Sequence, residues 1–289
     1  MRAAGGVEPL ASRWRLATLG DHFDIRSLAL AEAVAAVRPD CVLHLAGLTS
    51  VNDSFKDPEG YFDVNFHGTW NLLRALRDCG FGGRMLFVSS GDCYGAVAPE
   101  RIPVSESEPL RPRNPYAASK VAAESLCYQW SQAATFDVII ARPFNHVGPG
   151  QDPRFAVASF ARQVAMIRAG RAAPTITTGN LDVTRDLTDV RDVVRAYFAL
   201  LESAESGQAY NVGSGRETSM ADVLTRLIDI AGVDAEVRQD PARMRADEQR
   251  RAAADVGKIR RDTGWSATTP LATTLADTLD DWSERIDVE

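Results

Sequence analysis

Met85-Leu-Phe-Val-Ser-Ser90 is a run of four apolar residues followed by two serines. A short, continuous apolar run predicts a buried strand of a parallel sheet that helices cover on both faces. Residues 41–46 and 137–141 have the same character, and residues 15–19 form a fourth strand candidate. Amphipathic stretches separate these runs, which indicates parallel strands joined by crossover helices. The sequence therefore predicts an α/β fold whose strands end at the loops of a site.

Seven stretches have helical character. The helix at residues 116–134 should begin after Asn114-Pro115, because asparagine caps helices and proline suits their first turn. Beyond Gly150 the alternation of strands and helices weakens, so we divide the chain into a first domain, residues 1–150, and a smaller lobe, residues 151–289, with segments that return to the first domain. The expected helices are residues 28–37, 57–79, 116–134, 154–168, 189–201, 220–230 and 271–286.

Composition excludes several classes of protein. A net charge of -7 argues against a general nucleic-acid binder, which needs a basic face to neutralise phosphates. No apolar run reaches the ~18 residues that span a bilayer, and the first residues lack the apolar core of a secretion signal. The four cysteines are far apart, without the pairing that metal sites use. We expect a cytoplasmic protein with no metal, no nucleic acid and no membrane among its partners.

Tyr116 and Lys120 lie one helical turn apart on the same helix face. Six Tyr and three Lys in 289 residues predict roughly 0.06 such pairs by chance. A buried ammonium close to a phenol favours the phenolate, so Lys120 is expected to lower the pKa of Tyr116 and make it a general acid or base. A surface helix turn is the alternative.

Ser90 stands at a strand end, where a hydroxyl can polarise a substrate carbonyl while Tyr116 supplies the proton. A ketone that accepts hydride develops alkoxide charge, and two donors near that oxygen would stabilise it. A serine at this position also occurs as a helix or turn cap. Both interpretations of Ser90 remain open at this stage.

The beginning of the chain differs from that of a dinucleotide-binding fold, which opens with a strand, a glycine-rich turn and a helix. Residues 15–19 run into Gly20-Asp-His-Phe-Asp-Ile25, which is typical of the third strand and its acidic loop. Gly5-Gly6 follows no strand and precedes no helix. We expect about 40 residues to be absent, on the size of one β-α-β unit. Either the start was placed too late, or the chain is truncated and binds its cofactor poorly.

Several motifs occur in an order that resembles the extended short-chain dehydrogenase/reductase family of nucleotide-sugar enzymes. Within it the sequence is most similar to the GDP-4-dehydro-6-deoxy-D-mannose reductases, in Phe144-Asn-His-Val-Gly-Pro-Gly-Gln151 and in Gly179-Asn-Leu-Asp-Val-Thr-Arg-Asp186. The usual arginine motif is present as Met244-Arg-Ala-Asp247, so Arg245 remains while the proline is lost. In chain order, the motifs that carry the resemblance are His44-Leu-Ala-Gly47, Asn65-Phe-His-Gly-Thr69, Ser89-Ser-Gly-Asp-Cys-Tyr-Gly95, Arg142-Pro-Phe-Asn145, Arg185-Asp-Leu-Thr188 and Tyr210-Asn-Val-Gly-Ser-Gly215.

This resemblance implies an incomplete Rossmann-like, doubly wound NAD(P)-binding domain and a substrate lobe. It implies reduction of the 4-keto group of GDP-4-dehydro-6-deoxy-D-mannose to GDP-D-rhamnose, with NADP or NAD as cofactor and NADPH favoured. A homodimer through residues 57–79 and 116–134 is also expected. A 4,6-dehydratase or epimerase is the alternative enzyme, and a non-catalytic truncated sugar-nucleotide binder is the second alternative.

The resemblance also assigns site residues. Ser90, Tyr116 and Lys120 are the catalytic set, and Lys120 would hold the ribose hydroxyls. Asp92 falls where dehydratases carry an acid, whereas Gly91 replaces a second acid and favours reduction. The expected cofactor contacts are Asp24, Ile25, Leu45, Ala46, Gly47, Asn65, Ser89, Tyr116, Lys120, Pro143 and Phe144. The expected substrate contacts are Asn145, His146, Arg185 and Arg245.

Two of these assignments have ordinary alternatives. His146 could be a packed polar residue with one hydrogen bond. Arg185 could grip a phosphate with its fork of donors, or form a salt bridge with Asp186 or Asp189.

Overall fold

A computed structural model of the chain describes residues 17–18, 23–27, 29–244 and 249–288. The strand expected at residues 15–19 lies largely outside these ranges, as does Gly5-Gly6. The strands are β1 (Cys41–His44), β2 (Arg84–Val88), β3 (Asp137–Pro143), β4 (Asn145–Val147), β5 (Thr175–Thr178), β6 (Thr184–Asp189), β7 (Ala209–Val212), β8 (Glu217–Ser219) and β9 (Glu236–Gln239).

The helices include every one that the sequence predicted. They are α1 (Leu30–Val37), α2 (Val51–Ser54), α3 (Pro58–Phe62), α4 (Gly68–Asp78), α5 (Pro115–Ala133), α6 (Ala156–Arg168), α7 (Val190–Ser203), α8 (Met220–Ala231), α9 (Gly257–Thr263) and α10 (Leu271–Val288). None of the helices in these described ranges is long and apolar enough to span a bilayer.

In the described residues the main sheet consists of four parallel strands in the order β1-β2-β3-β7. Successive side chains of a strand point to opposite faces, so each apolar strand supplies two cores. Met85 and Phe87 pack on one face with α1, α4 and α5, while Leu86 packs on the other face with α7 and α9. Helices therefore cover both faces, which confirms the α/β prediction and explains the continuous apolar runs.

The later part of the chain forms a separate core. Helices α6, α8 and α10 pack around residues such as Phe160, Leu227 and Leu279. Two small sheets, β4-β6-β8 and β5-β9, lie beside these helices. Strand β7 comes from the same part of the chain but pairs with β3, so the later half contributes to the main sheet as well.

One predicted helix is interrupted. Residues 57–79 form α3 and α4 joined by a π-helical segment, Asp63–His67. A π-helical insertion changes the direction of the side chains around it, and such segments are frequent at functional sites. Here the segment contains Asn65, whose side chain is buried toward α5.

Asp186 joins three parts of the chain. Its fully buried carboxylate accepts hydrogen bonds from the Ser214 amide at 2.7 Å and the Gly215 amide at 2.9 Å, in the loop after β7. It also accepts the Ser214 hydroxyl at 2.6 Å and the Ala254 amide at 3.0 Å. Because all four partners are donors, a group that only accepts is required at this position.

We expect Asp186→Asn to lower the free energy of unfolding by about 2–4 kcal/mol, because the new amide NH₂ would face backbone N–H groups and leave them unpaired. Urea denaturation of the variant measures this loss. Asp229→Asn, at an exposed position of α8, is the control and should change the free energy of unfolding by less than about 0.5 kcal/mol. A loss for Asp186→Asn as small as that of the control would contradict the role of the carboxylate.

Candidate active site

The parallel strands of the main sheet end at one edge, and the polar residues that follow them meet there. Residues 45–47 follow β1, Ser89 and Ser90 follow β2, and Phe144 follows β3. This is the edge at which open α/β sheets bind ligands. The first turns of α5 lie over it, because Asn114 caps the helix by accepting the Ala117 amide at 2.8 Å.

Tyr116 and Ser90 meet at this edge. Tyr116 lies in the first turn of α5, and its phenol is close enough to the Ser90 hydroxyl for Ser90 to lower the phenol pKa. The Ser90 hydroxyl oxygen also accepts the Asp92 amide at 3.1 Å, in the short helical turn Gly91–Tyr94. That bond occupies a lone pair of the oxygen and leaves the hydroxyl proton available for donation. The structure thus brings together two O–H donors that the sequence could place only on separate elements.

Lys120 is buried one turn further along α5. Its Nζ donates to the Val88 carbonyl oxygen at 2.9 Å and lies 5.0 Å from the centre of the Phe87 ring. Burial lowers the pKa of the ammonium to about 8. Within the described part of the chain this is its one hydrogen bond, so two N–H groups remain for another acceptor.

The expectation that Lys120 lowers the pKa of Tyr116 is wrong for this structure. Burial of the phenol raises its pKa well above the ordinary value, and the nearby Ser90 hydroxyl opposes this only in part. Nζ is directed to the end of β2, and the Tyr61 ring packs edge-on to Tyr116 at 6.4 Å. Tyr116 is therefore protonated at neutral pH, which is the state that a general acid requires.

The loop after β1 forms an open ledge beside Lys120. Leu45 is 58% exposed and Ala46 is also exposed, although both directly follow the buried His44 at the end of β1. A Cβ at Gly47 would lie 2.9 Å from Asn65 Oδ1 and 3.3 Å from Lys120 Nζ, so the glycine lets the loop approach the ammonium closely. An apolar ledge next to spare N–H donors fits the ring and ribose hydroxyls of a nicotinamide nucleotide.

Asn65 supports this ledge from beneath. Only 1% of it is exposed, and its amide is engaged in three hydrogen bonds. It accepts the Leu48 amide at 2.8 Å, and donates to the Leu48 carbonyl at 3.0 Å and to the Ser119 hydroxyl at 2.9 Å. The polar atoms of Asn65 thus tie the β1 loop to α5, and its contact with the cofactor stays a prediction.

The two expected adenine contacts, Asp24 and Ile25, make contacts within the protein, and their contact with a cofactor stays a prediction. The Asp24 carboxylate accepts the Arg26 amide at 2.8 Å and its guanidinium at 2.7 Å, and these hydrogen bonds lower its pKa to about 2. The Ile25 side chain lies in the core, where a Cβ on Gly68 would be 2.4 Å from it. The side chains of Asp24 and Ile25 are thus used within the protein.

Ser89 is buried rather than open to a cofactor. It is 2% exposed, and its hydroxyl donates to the Glu124 carboxylate. Glu124 in turn accepts Arg142 Nη2 at 2.6 Å and Nε at 3.0 Å, inside the protein. Arg142 Nη1 donates to the Tyr94 hydroxyl at 3.0 Å, and that hydroxyl donates to Asn211 Oδ1 at 2.6 Å.

No sequence pattern indicated a role for Glu124, Arg142, Tyr94 or Asn211. One signal was present: Glu124 follows Tyr116 by eight residues and Lys120 by four, which places all three on one helix face. A charged residue on a face that otherwise packs inward needs a buried partner. The partner itself was not visible in the sequence, because Arg142 comes from another strand.

On the other side of the edge, Phe144 and β4 follow β3. Phe144 packs against Tyr94, and Pro143, which precedes it, is buried at the end of β3. Asn145 and His146 are exposed, and His146 Nδ1 lies 3.4 Å from the Phe144 carbonyl oxygen. Their side chains are therefore accessible at the mouth of the site, as is Asp92 in the turn after Ser90.

Arg185 lies on β6, two residues before Leu187, which pairs with Asn145. Its Nη1 donates to the carbonyl oxygens of Thr184 at 2.8 Å and Gln249 at 2.9 Å. The two carboxylates considered as its partners have other roles: Asp186 accepts backbone amides, and Asp189 pairs with Arg191. Arg245 lies outside the described residues.

Among the described residues, no group of His, Cys, Asp and Glu is arranged to hold a metal ion. The chemistry available at this edge is that of O–H and N–H donors. Two hydroxyls can hold a carbonyl oxygen and protonate it, and an adjacent ammonium can bind a polyol.

His44 ends β1 directly below the ledge. Its Nε2 lies 2.9 Å from the Thr69 hydroxyl oxygen, and that hydroxyl donates to the Asn65 carbonyl oxygen at 2.6 Å. Thr69 therefore accepts from His44, which places the imidazole proton on Nε2. Burial, and then the charge of Lys120, lower the pKa of His44 to about 3.

Comparisons with known proteins agree with this geometry. Residues 18–278 match the family model described as GDP-mannose 4,6 dehydratase. GDP-6-deoxy-D-mannose reductase of Pseudomonas aeruginosa is 47% identical over 248 residues, which are 86% of this chain and 82% of that protein. UDP-glucose 4-epimerase of Mycolicibacterium smegmatis is 33% identical over 89% of this chain and 80% of its own length.

Two solved structures have the same fold. The structure of RMD from Pseudomonas aeruginosa complexed with NADPH superposes with a TM-score of 0.88 at 42% identity, covering 94% of this chain and 91% of that chain. DesIV, a dTDP-glucose 4,6-dehydratase from Streptomyces venezuelae with NAD and TYD bound, has a TM-score of 0.81 at 28% identity, covering 92% and 80%. The Rossmann-type fold predicted from the sequence is thereby confirmed.

The buried, neutral His44 should make stability depend on pH. Above pH 6.5 His44 is neutral in the folded and in the unfolded protein. Below pH 6.5 the unfolded chain takes up a proton on this histidine, whereas the folded chain does not. Folding stability from this group is therefore lost as pH falls from about 6.5 toward 3. We expect about 1.4 kcal/mol of this loss between pH 7.5 and 5.5, measured by urea unfolding of wild type against His44→Gln.

Glutamine can donate to Thr69 from the position of Nε2 but does not titrate, so the His44→Gln variant should lack this pH-dependent component. His67→Gln, at an exposed position, should retain it. Equal pH dependence in wild type and His44→Gln would show that His44 is not held neutral by burial.

Proposed function

Because the chain belongs to the GDP-mannose 4,6 dehydratase family, and thereby to the extended short-chain dehydrogenase/reductase enzymes, we propose that it reduces the 4-keto group of a GDP-linked 6-deoxy sugar. The substrate proposed is GDP-4-dehydro-6-deoxy-D-mannose and the product GDP-D-rhamnose. The observation that carries the proposal is the pairing of the protonated Tyr116 phenol with the Ser90 hydroxyl at the strand edge.

In this reaction Ser90 and Tyr116 hold the keto oxygen between two O–H donors. As negative charge develops on that oxygen, both hydrogen bonds strengthen, and Tyr116 transfers its proton to it. The raised pKa of the phenol ensures that the proton is present when the substrate arrives. The fixed bond from the Asp92 amide keeps the Ser90 hydroxyl oriented through this step.

Reduced nicotinamide supplies the hydride. Lys120, through the two N–H groups that Val88 leaves available, would hold the ribose hydroxyls, while Leu45, Ala46 and Gly47 provide the apolar ledge. The Pseudomonas reductase of similar structure was solved with NADPH, which favours NADPH here. Other similar structures contain NAD, so NAD is the alternative cofactor.

Packing around Gly91 favours reduction over dehydration. A Cβ on Gly91 would lie 3.0–3.2 Å from ring atoms of Phe144, which is already tight contact. An acidic side chain there, as some dehydratases carry, would require the ring to move. Asp92 remains beside the site and could bind a sugar hydroxyl.

Recognition of the rest of the substrate is assigned to the β4 and β6 side. Asn145 and His146 are exposed next to Phe144 and are proposed to contact the sugar. Arg185 is proposed to contact the diphosphate, since the register of β4 and β6 places it close to the start of β4. Arg245 is proposed as a second phosphate contact on sequence grounds alone.

Reduction of the keto sugar should consume one NADPH per product, and the product should be heavier than the substrate by two hydrogens. Tyr116→Phe should lower kcat by about 10²–10⁴-fold, because it removes the proton donor while leaving the ring in place. The absorbance of NADPH measures its consumption and the kcat of each variant. Mass spectrometry measures the mass of the product. Tyr128→Phe, exposed on the same helix, should retain wild-type turnover.

Other outcomes would lead to other functions. Formation of the 4-keto sugar from GDP-mannose without added NADPH would identify a dehydratase, and C4 inversion without net NADPH loss an epimerase. Binding of GDP in calorimetry with no NADPH binding would favour a non-catalytic sugar-nucleotide binder. Full activity of Tyr116→Phe would exclude the proposed acid.

We further propose that the protein is a homodimer that pairs through residues 57–79 and 116–134. Large apolar side chains are exposed on the outer side of these helices, among them Trp70 at 43%, Tyr128 at 55% and Phe62. Phe66 and Trp70 are in edge contact at 6.3 Å and extend this apolar strip. Aromatic groups exposed on neighbouring helices are typical of a protein interface.

Trp70→Glu should raise the dimer dissociation constant by at least about 30-fold, since a central interface aromatic contributes 2 kcal/mol or more. Analytical ultracentrifugation over a concentration series measures the constant. The control is Ile230→Glu, an exposed apolar residue of α8 away from this strip. An unchanged dimer in Trp70→Glu, or a monomeric wild type, would refute this interface.

A further inference from the structure

Ser89 makes contacts that none of the proposed steps uses. Its hydroxyl donates to Glu124, and its Oγ lies 3.4 Å from the Cys93 sulfur. Its backbone amide donates to the Ala141 carbonyl oxygen at 2.8 Å, which continues the pairing of β2 with β3 past the strand end. Ser89 is thus fixed on two sides, one residue before Ser90.

Three successive residues at the end of β2 contact one face of α5. Val88 accepts a hydrogen bond from the Lys120 ammonium, Ser89 donates to Glu124, and the Ser90 hydroxyl lies near the Tyr116 phenol. The helix partners occur at intervals of four residues, so they form a line along α5.

The middle contact is the firmest of the three. The Glu124 carboxylate is itself fixed by Arg142 through three hydrogen bonds of 2.6–3.1 Å. Both side chains of this ion pair are more than nine-tenths buried. A hydroxyl bound to such a carboxylate has little freedom, because a charge-assisted acceptor is stronger than a neutral one.

We propose that Ser89 is a positioning residue, whose bond to Glu124 sets the distance and direction of the Ser90 hydroxyl relative to the Tyr116 phenol. This inference rests on the proposed function of Ser90 and Tyr116. Without the bond, the strand end keeps its backbone pairing with β3 but loses its side-chain link to α5. Ser90 then shifts while the nucleotide contacts on β6 remain.

A role in positioning differs measurably from a role in folding or binding. Ser89→Ala should lower kcat by about 10–100-fold, since displacement of a reacting group by about 1 Å costs up to 10²-fold. The KM for the sugar nucleotide should stay within about twofold. Ser89→Thr retains the hydroxyl and should recover most of the lost kcat. The control Ser283→Ala removes a half-buried hydroxyl of α10, which donates to Leu279 at 2.8 Å, and should leave kcat unchanged.

A crystal structure of Ser89→Ala gives a second readout that does not depend on turnover. It should show the Ser90 hydroxyl displaced from the Tyr116 phenol. An active wild type with an unaffected Ser89→Ala, or an unmoved Ser90, would overturn the inference, and so would a raised KM with unchanged kcat. An inactive wild type together with a displaced Ser90 would reject the proposed function while retaining the positioning role.

Discussion

The buried ion pair between Glu124 and Arg142 joins α5 to the main sheet, and the arrangement of the active site depends on it. Removal of one partner from such a pair leaves an unpaired charge in the core, at a cost of about 3–5 kcal/mol. The pair also has outer partners. Arg142 donates to Tyr94, Tyr94 donates to Asn211 on β7, and Ser89 donates to Glu124. These bonds hold strands β2, β3 and β7 against α5. Apolar side chains in place of Glu124 and Arg142 could fill the same space but could not form these directed bonds.

The same helix face carries the residues that we propose as the proton donor and the ribose contact. Tyr116 and Lys120 precede Glu124 at helical intervals, so the ion pair that anchors α5 also fixes the depth of the phenol and the ammonium. Burial then acts on these groups in opposite directions, because it disfavours the charged form of each. It raises the pKa of Tyr116, which keeps the phenol protonated, and lowers the pKa of Lys120 to about 8. A reductase needs this combination, a proton donor beside a group that holds a polyol by its N–H bonds.

The fold class and the positions of the candidate site residues along the chain could be predicted from local patterns. Apolar runs such as residues 85–88 indicated buried parallel strands, and Asn114-Pro115 indicated the start of α5, because strand burial and helix capping depend on residues close in sequence. The motif order indicated the family. Asn65 and Ser89 were assigned to the cofactor from their motifs, yet their side chains are buried and bonded within the protein. A motif marks a residue but does not say what its side chain contacts. Asn65 and Ser89 can serve a site by holding the loops that form it, without touching the ligand.

Sequence patterns alone were enough to predict the α/β class, strands β1, β2 and β3, the longer helices, and the helical spacing of Tyr116 and Lys120. These properties depend on periodicity and on neighbours within one or two turns. Only the tertiary structure decided the partners across elements: Glu124 with Arg142, Ser90 with Tyr116, and Asp186 with the loop after β7. It also decided the direction of the Tyr116 pKa, because that direction depends on how much water the packed chain removes from the phenol and on where the Lys120 ammonium points.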